Sequence, residues 1–551
     1  MPSKTPATTA PCDDAPRAYT PRAPTNTLLY RTLHRELEPF LARANQRGQP
    51  APRFVEQTLR AYLQCGVLAH GFLRLHCDTC QQDRLVPFSC KRRGVCPSCQ
   101  GRTMADTAAH LVDRVLPHVP VRQWVLTLPY PLRYRCAYDA RLTADVLRAF
   151  VRALFATLRR RARHAQPGGQ PPPTQCGAVS FLQRFGSALN LNLHFHTLAL
   201  DGAYLYEPHP RATPDFVALP PPTPDDVAQV LTATARRLKR LLTDRAEGDP
   251  DALARDEPLL ALLAQASLRT RIATGPQAGH PWKRLGDRVA PAAEADGDPA
   301  HGALARHAEM SLHAAVAVPA HDRERLERLC RYVARPPLGN DRLELRPDGS
   351  LALRLKTRWR DGTTHIVMQP QELIDRLVPL IPPPRTHQVR YHGILAPAAT
   401  LRECVVPAPR NDDAAPTRAH AEVANTQHCA TPPDFEVEIA NSAVAAPTTA
   451  TAAATDGRAR ARRMRWAALL QRVFAVDALA CPRCGATLRL LAAIEDPAVA
   501  RAILECLELP ARAPPPAPAQ SAEPTVSTPG PAEDPPFAPF EFDQRTPYED
   551  V

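Results

Sequence analysis

The segment Asn190 to Leu200 (NLNLHFHTLAL) alternates strictly, and that alternation constrains the chain more than any other stretch. On a β-strand Leu189, Leu191, Leu193 and Phe195 point to one side, while Asn190, Asn192, His194 and His196 point to the other. Two imidazoles two positions apart on one strand face project side by side, and together they can hold one divalent cation. The apolar face pins the strand to a core behind them. An isolated His-x-His is more often a solvent-facing pair on an edge strand, so the metal reading needs partners elsewhere in the sequence.

A chain of 551 residues exceeds one ordinary domain, and its 62 prolines are clustered, so two or three folded units separated by linkers are expected. The formal net charge is +12 with arginine in surplus, which favours bidentate contact with phosphates and makes nucleic acid the default partner. No apolar run approaches the ~18 residues of a membrane span, and the N-terminal residues contain no hydrophobic signal core. A cytoplasmic, nucleoid-associated protein with no membrane partner is expected. In that compartment 15 cysteines are metal ligands or buried thiols rather than disulfides.

The expected organisation is a disordered segment 1–26, a helical zinc-binding domain 27–118, a β-rich domain 119–404, a disordered linker 405–457, a small basic module 458–509 and a Pro-rich tail 510–551. Within the β-rich domain strands are predicted at 121–128, 177–184 and 190–200, with an arginine-rich helix at 142–162. The 177–184 and 190–200 strands are joined as a hairpin through Phe185-Gly186-Ser187. Three further strands, 342–346, 351–359 and 364–368, are punctuated by Asp348-Gly349 and Asp361-Gly362 and read as a meander.

Cys77-x-x-Cys80 and Cys96-x-x-Cys99 are 15 residues apart, a spacing at which two thiolate knuckles close a tetrahedral zinc site. Four protein ligands leave no open position, so this zinc is structural. Cys90 and His76 are spare candidates. Lys91, Arg92 and Arg93 form a basic loop that can touch phosphates or simply be solvated. Cys481 and Cys484 make half of another site, with no second pair close in sequence. Upstream of them, residues 458–465 (RARARRMR) could form a phosphate-binding arm.

A helix predicted over 322–334 supplies a nucleophile. Leu326, Leu329, Cys330 and Val333 form its apolar stripe, while Arg325, Arg328, Tyr332 and Arg335 recur at spacings of three and four on another face. A tyrosine among arginines is placed to attack a bound phosphate. A lone tyrosine is more often packed for its apolar body, and only partnership with His194 and His196 reverses that preference.

The zinc block, the strand LNLHFHTLALDG, the helix RLCRYVARPPL, and the segments YHGILAP and RVFAVDALACPRCG together resemble the insertion-sequence-ninety-one family of transposases, over about Arg53 to Leu509. That family belongs to the HUH endonuclease superfamily, whose members carry two histidines around a hydrophobic residue, here His194, Phe195 and His196, and a tyrosine that becomes covalently linked to DNA. The resemblance implies an α+β fold, a central antiparallel sheet flanked by helices, and rolling-circle-like transposition of single-stranded DNA at element ends and target. The family's founding pattern has two tyrosines four residues apart. Here Arg328 and Pro336 stand at the flanking positions, so Tyr332 alone matches and Tyr391 is left without local support as a second nucleophile.

The expected chemistry is attack by Tyr332 on a scissile phosphate beside Mg²⁺ or Mn²⁺ held by His194 and His196. Gln183 is the expected third ligand, placed opposite Asn190 if the hairpin turns at Gly186-Ser187. The competing readings are a non-catalytic zinc-dependent DNA-binding protein and a rolling-circle replication initiator. No phosphate-cradling glycine loop points to an ATPase domain, and the sequence leaves the oligomeric state open.

Overall fold

A computed structural model describes residues 22–165, 173–206, 214–244, 252–286, 303–408 except 308, and 466–519 except 475, together with a two-residue strand at Arg17–Ala18. The stretches expected to be unstructured, 1–26, 405–457 and 510–551, fall largely outside the described residues, as does the arginine run 458–465.

The expected α+β architecture is present. The histidine strand, Leu191–Leu200, lies inside a seven-stranded antiparallel sheet. Its neighbours are Val121–Thr127 on one side and Gly177–Phe185 on the other. Beyond the first lie Met310–His313 and Leu304–His307, with Ala317–Val318 also pairing along Val121–Thr127. Beyond the second lies Val389–Gly393. All ten residues of the histidine strand are buried, because helices cover both faces of the sheet. Leu191, Leu193 and Phe195 share one apolar cluster with the helix Ala140–His164, through Leu147, Phe150 and Leu154. Leu198 and Leu200 point the other way, into a second cluster with Leu326, Leu329, Cys330 and Val333 of the helix Arg323–Val333. Each buried leucine or phenylalanine contributes about 1.5–3 kcal/mol, so the strand cannot slip by one residue without turning its imidazoles into the core.

The hairpin differs from the expected turn. Residues 186–190 form a longer connection closed by Gly186 N–H donating to Asn190 C=O at 2.9 Å, with Leu189 held at φ 60°. Phe185 therefore faces Leu191, and a bulge at Arg184 sets Gln183 opposite His194 rather than Asn190. The predicted meander is present as Leu343–Leu345, Leu351–Arg354 and Thr363–Met368. It forms a separate four-stranded sheet with Lys283–Gly286.

The N-terminal and C-terminal segments are not successive units. Arg489–Ile494 adds antiparallel to Phe72–Cys77, which in turn pairs with Gln82–Pro87. The helix Trp466–Phe474 packs Leu469 and Val473 on Ala105 and Ala109 of the helix Pro97–Arg114. The small C-terminal module thus completes the sheet of the N-terminal domain. Sequence order could not reveal this, because a β-pairing across some 400 positions leaves no local periodicity.

Candidate active site and thiolate centres

His194 and His196 occupy one face of the central strand with their Nε2 atoms 3.0 Å apart. Two cis ligands of an octahedral ion at about 2.1 Å stand about 3 Å apart, so the pair is already spaced for one divalent cation. His194 Nδ1 lies 2.8 Å from Asn192 C=O, and donation to that carbonyl leaves its Nε2 as the lone-pair nitrogen. Burial pushes the His194 imidazolium down to about 3 and that of His196 well below its ordinary range, with the charge of Arg335 acting in the same direction on both. Both rings are therefore neutral near pH 7, the form that ligates a metal.

Tyr332 is in the last turn of Arg323–Val333, capped at its start by Asp322, whose side chain accepts from Arg325 N–H at 2.9 Å. Its ring meets that of His196 edge to face at 5.9 Å between centroids. The Arg335 guanidinium stacks over the same phenol, 4.2 Å from its centroid. The structure thus gathers His194, His196, Tyr332 and Arg335 into one site, and Gln183 joins them from the adjacent strand.

Gln183 Nε2 donates to Val333 C=O at 2.8 Å, while its Oε1 is buried and has no hydrogen-bond partner among the described residues. Thr127 Oγ1, across the strand from His194, Asn192 Oδ1, His196 Nδ1 and Arg335 Nε share that condition. A buried polar atom without a partner costs about 1–3 kcal/mol, and such atoms are rare in native folds. Three of them, the oxygens of Gln183, Thr127 and Asn192, stand beside the paired imidazoles and fit a centre that offers oxygen and nitrogen ligands to a cation. Asn192 and Thr127 were not singled out by sequence reasoning. Asn192 shares the histidines' alternation, whereas Thr127 required the strand pairing.

The tyrosine helix is braced at both ends and in its middle. Arg323 Nη1 and Nη2 donate to Pro117 C=O at 3.1 Å and Leu116 C=O at 2.9 Å, and Nη2 also donates to Val112 C=O, capping the end of Pro97–Arg114. Arg472 of the C-terminal module bridges Glu327, at 2.7 Å, and Asp113. Gln183 fixes the far end at Val333. Arg323 and Arg472 lie outside the predicted set, since nothing local in sequence marks them.

The remaining predicted basic residues stand apart from the histidines. Arg328 is exposed and 3.8 Å from Glu324, and Arg325 is half-buried on the same helix. Lys91 and Arg92 are exposed, but Arg93 Nη1 donates to Thr386 C=O at 2.6 Å and serves to fasten its loop. A closer basic group was missed. The charge of Arg133 acts on His194, and that of Arg335 acts on Arg342 and Lys356. Tyr391 faces Val179 at a different level of the sheet from Gln183, against Arg402.

The expected zinc quartet Cys77, Cys80, Cys96 and Cys99 is not assembled; the structure divides it. Cys96 and Cys99 join Cys65 and Cys90, and Cys77 and Cys80 join Cys481 and Cys484, each set with its sulfurs within 4.8 Å of one another. In the first set Cys65 and Cys90 each lie 3.5 Å from Cys99, and Cys96 lies 3.7 Å from Cys65. Arg22 Nη2 donates to Cys65 Sγ at 2.9 Å. The physical reason for the division is the hairpin Phe72–Pro87, which carries the Cys77 knuckle away from the Cys96 knuckle at the start of the helix Pro97–Arg114. Cys65 and Cys90 are singletons and so gave no paired spacing to read. His76 belongs to neither set; its Nδ1 lies 2.7 Å from Asp83 Oδ1.

Two family models match the chain. Residues 177–403, which hold the histidine strand and Tyr332, match a family described as "Putative transposase", and residues 34–128 match the Transposase zinc-binding domain of the IS91 family. The two matches define a transposase, and the thiolate sets fit structural zinc. The chain belongs to the insertion-sequence-ninety-one family of transposases and carries its N-terminal zinc-binding domain. No curated protein and no solved structure matches it. No helix among the described residues is long and apolar enough to cross a membrane.

Proposed function

We propose that the protein nicks and rejoins single-stranded DNA at element ends through a 5′-phosphotyrosine on Tyr332, in rolling-circle-like transposition. The observation that carries this reading is the convergence of His194, His196, Gln183, Tyr332 and Arg335 around one set of unsatisfied polar atoms. His194, His196 and the free Oε1 of Gln183 would hold Mg²⁺ or Mn²⁺, which supplies Lewis-acid polarisation of the scissile phosphate.

Arg335 lies over the phenol and beside both histidines, where it neutralises phosphate charge. Arg133, Arg342 and Lys356 add positive charge that is felt at the same groups. Lys91, Arg92, Arg325 and Arg328 extend the basic surface for strand binding without sequence readout. Tyr332 Oη attacks phosphorus and the bond to O3′ breaks. The phenolic proton is lost to solvent, and the leaving 3′-oxygen gains one to become a hydroxyl. The phosphotyrosine retains the bond energy, so attack by a 3′-hydroxyl of a new strand reverses the step without a nucleotide cofactor.

The experiment is incubation of the purified chain with labelled single-stranded element ends and Mn²⁺, followed by denaturing electrophoresis. A denaturant-resistant adduct is expected, lost in Tyr332→Phe and strongly reduced in His194→Ala. An adduct that persists in Tyr332→Phe overturns the assignment. Retarded but uncleaved DNA in the unaltered chain would make this a binding protein.

A further inference from the structure

We propose that Cys77, Cys80, Cys481 and Cys484 hold a second zinc ion that clasps the two ends of the chain together. Cys77 Sγ lies 3.5 Å from Cys484 Sγ, and Cys80 Sγ lies 3.5 Å from Cys481 Sγ. Thiolates around a tetrahedral zinc at about 2.3 Å stand about 3.8 Å apart, whereas a disulfide requires about 2.05 Å. The spacing is that of ligands to a common ion.

The backbone gives an independent indication. Gln81 N–H donates to Cys77 C=O at 2.8 Å, and Gly485 N–H donates to Cys481 C=O at 2.8 Å. Gln81 and Gly485, each just after the second cysteine of its knuckle, are left-handed at φ 54° and 75°. Two Cys-x-x-Cys turns of the same geometry therefore face each other from opposite ends of the sequence. Pairing of Arg489 with His76, and the ion pair of Arg489 with Asp78 at 3.0 Å, set them in register.

The apolar core directly beneath the four cysteines is small. It contains only Leu75, Cys77, Val86, Cys481 and Leu488 as buried members among the described residues. So small a core is the situation in which a bound metal supplies the missing stability. Cys481 and Cys484 lie outside both family matches, and the inference does not rest on the nicking reaction. Its structural consequence reaches the tyrosine helix, because the clasped segment carries Arg472, the bridge between Asp113 and Glu327.

The test is metal content of the full chain by mass spectrometry, which is expected to give two zinc ions per chain. Cys481→Ser/Cys484→Ser should give one, and so should Cys65→Ser/Cys90→Ser. A specific protease site introduced within residues 409–465 adds a second readout. After cleavage the C-terminal fragment should co-elute with the remainder, and it should separate when Cys481 and Cys484 are replaced. One zinc in the unaltered chain, or two retained in Cys481→Ser/Cys484→Ser, overturns the proposal. Should a variant not fold, cobalt replacement in the unaltered chain decides the matter: thiolate-to-cobalt absorption of two tetrathiolate sites is expected, and that of one site refutes it.

Discussion

Gln183→Leu separates a ligand from a brace at the same position. The substitution nearly conserves volume. It removes the Nε2 donor to Val333 C=O, a carbonyl at a helix end with no intrahelical partner, and burial of that carbonyl alone costs about 1–3 kcal/mol. It also removes the buried Oε1, whose lack of a partner carries a penalty of the same size, about 1–3 kcal/mol. The two effects oppose, so urea unfolding is expected to shift by no more than about 1 kcal/mol. Metal dependence should not cancel in this way. Losing one of three protein ligands should raise the Mn²⁺ concentration for half-maximal adduct formation by roughly tenfold or more. Paired urea melts and Mn²⁺ titrations of adduct yield measure both quantities. Unchanged Mn²⁺ dependence with unchanged stability would remove Gln183 from the metal centre. A loss of about 3 kcal/mol would instead make it chiefly a cap of the tyrosine helix.

Two further outcomes follow from buried charge. Arg122 and Asp201 form a bidentate pair, 2.7 Å from Nη2 to Oδ2, with side chains only 6% exposed, and Arg122 Nη1 also donates to Ala314 C=O at 2.9 Å. Arg122→Ala leaves the carboxylate buried and alone, so urea unfolding should lose about 3–5 kcal/mol, and a loss under about 1 kcal/mol would refute that role. His194 is neutral in the fold down to about 3, whereas unfolded histidine protonates near 6.5. The unfolded chain then binds the extra proton, and stability falls as the pH drops from about 6.5 towards 3. At pH 5 this one histidine accounts for roughly 2 kcal/mol. The loss between pH 7 and pH 5 should shrink by about that much in His194→Gln, and an identical loss in both proteins would contradict the burial argument.

Much of the candidate site was legible because its signals are local. The alternation through His194 and His196 set both the strand and its polar face, and the stripe Leu326, Leu329, Cys330 and Val333 set the helix that carries Tyr332. Gln183 was placed on the correct face through the wrong register, because the bulge at Arg184 and the left-handed Leu189 are not encoded in alternation. The cysteines were misgrouped for a related reason. Thiol spacing reports proximity along the chain, whereas the hairpin 72–87 and the strand 489–494 decide proximity in space. Arg323 and Arg472 were invisible for the same cause, since each meets its partners only after distant helices pack.

The most direct test is to digest the protein–DNA adduct and sequence the modified peptide by mass spectrometry. A nucleotide remnant joined through its 5′-phosphate to Tyr332, in the peptide that follows Arg331, is the expected result. Attachment to Tyr391 or any other side chain, or through a 3′-phosphate, would contradict the assignment of Tyr332 as the attacking group.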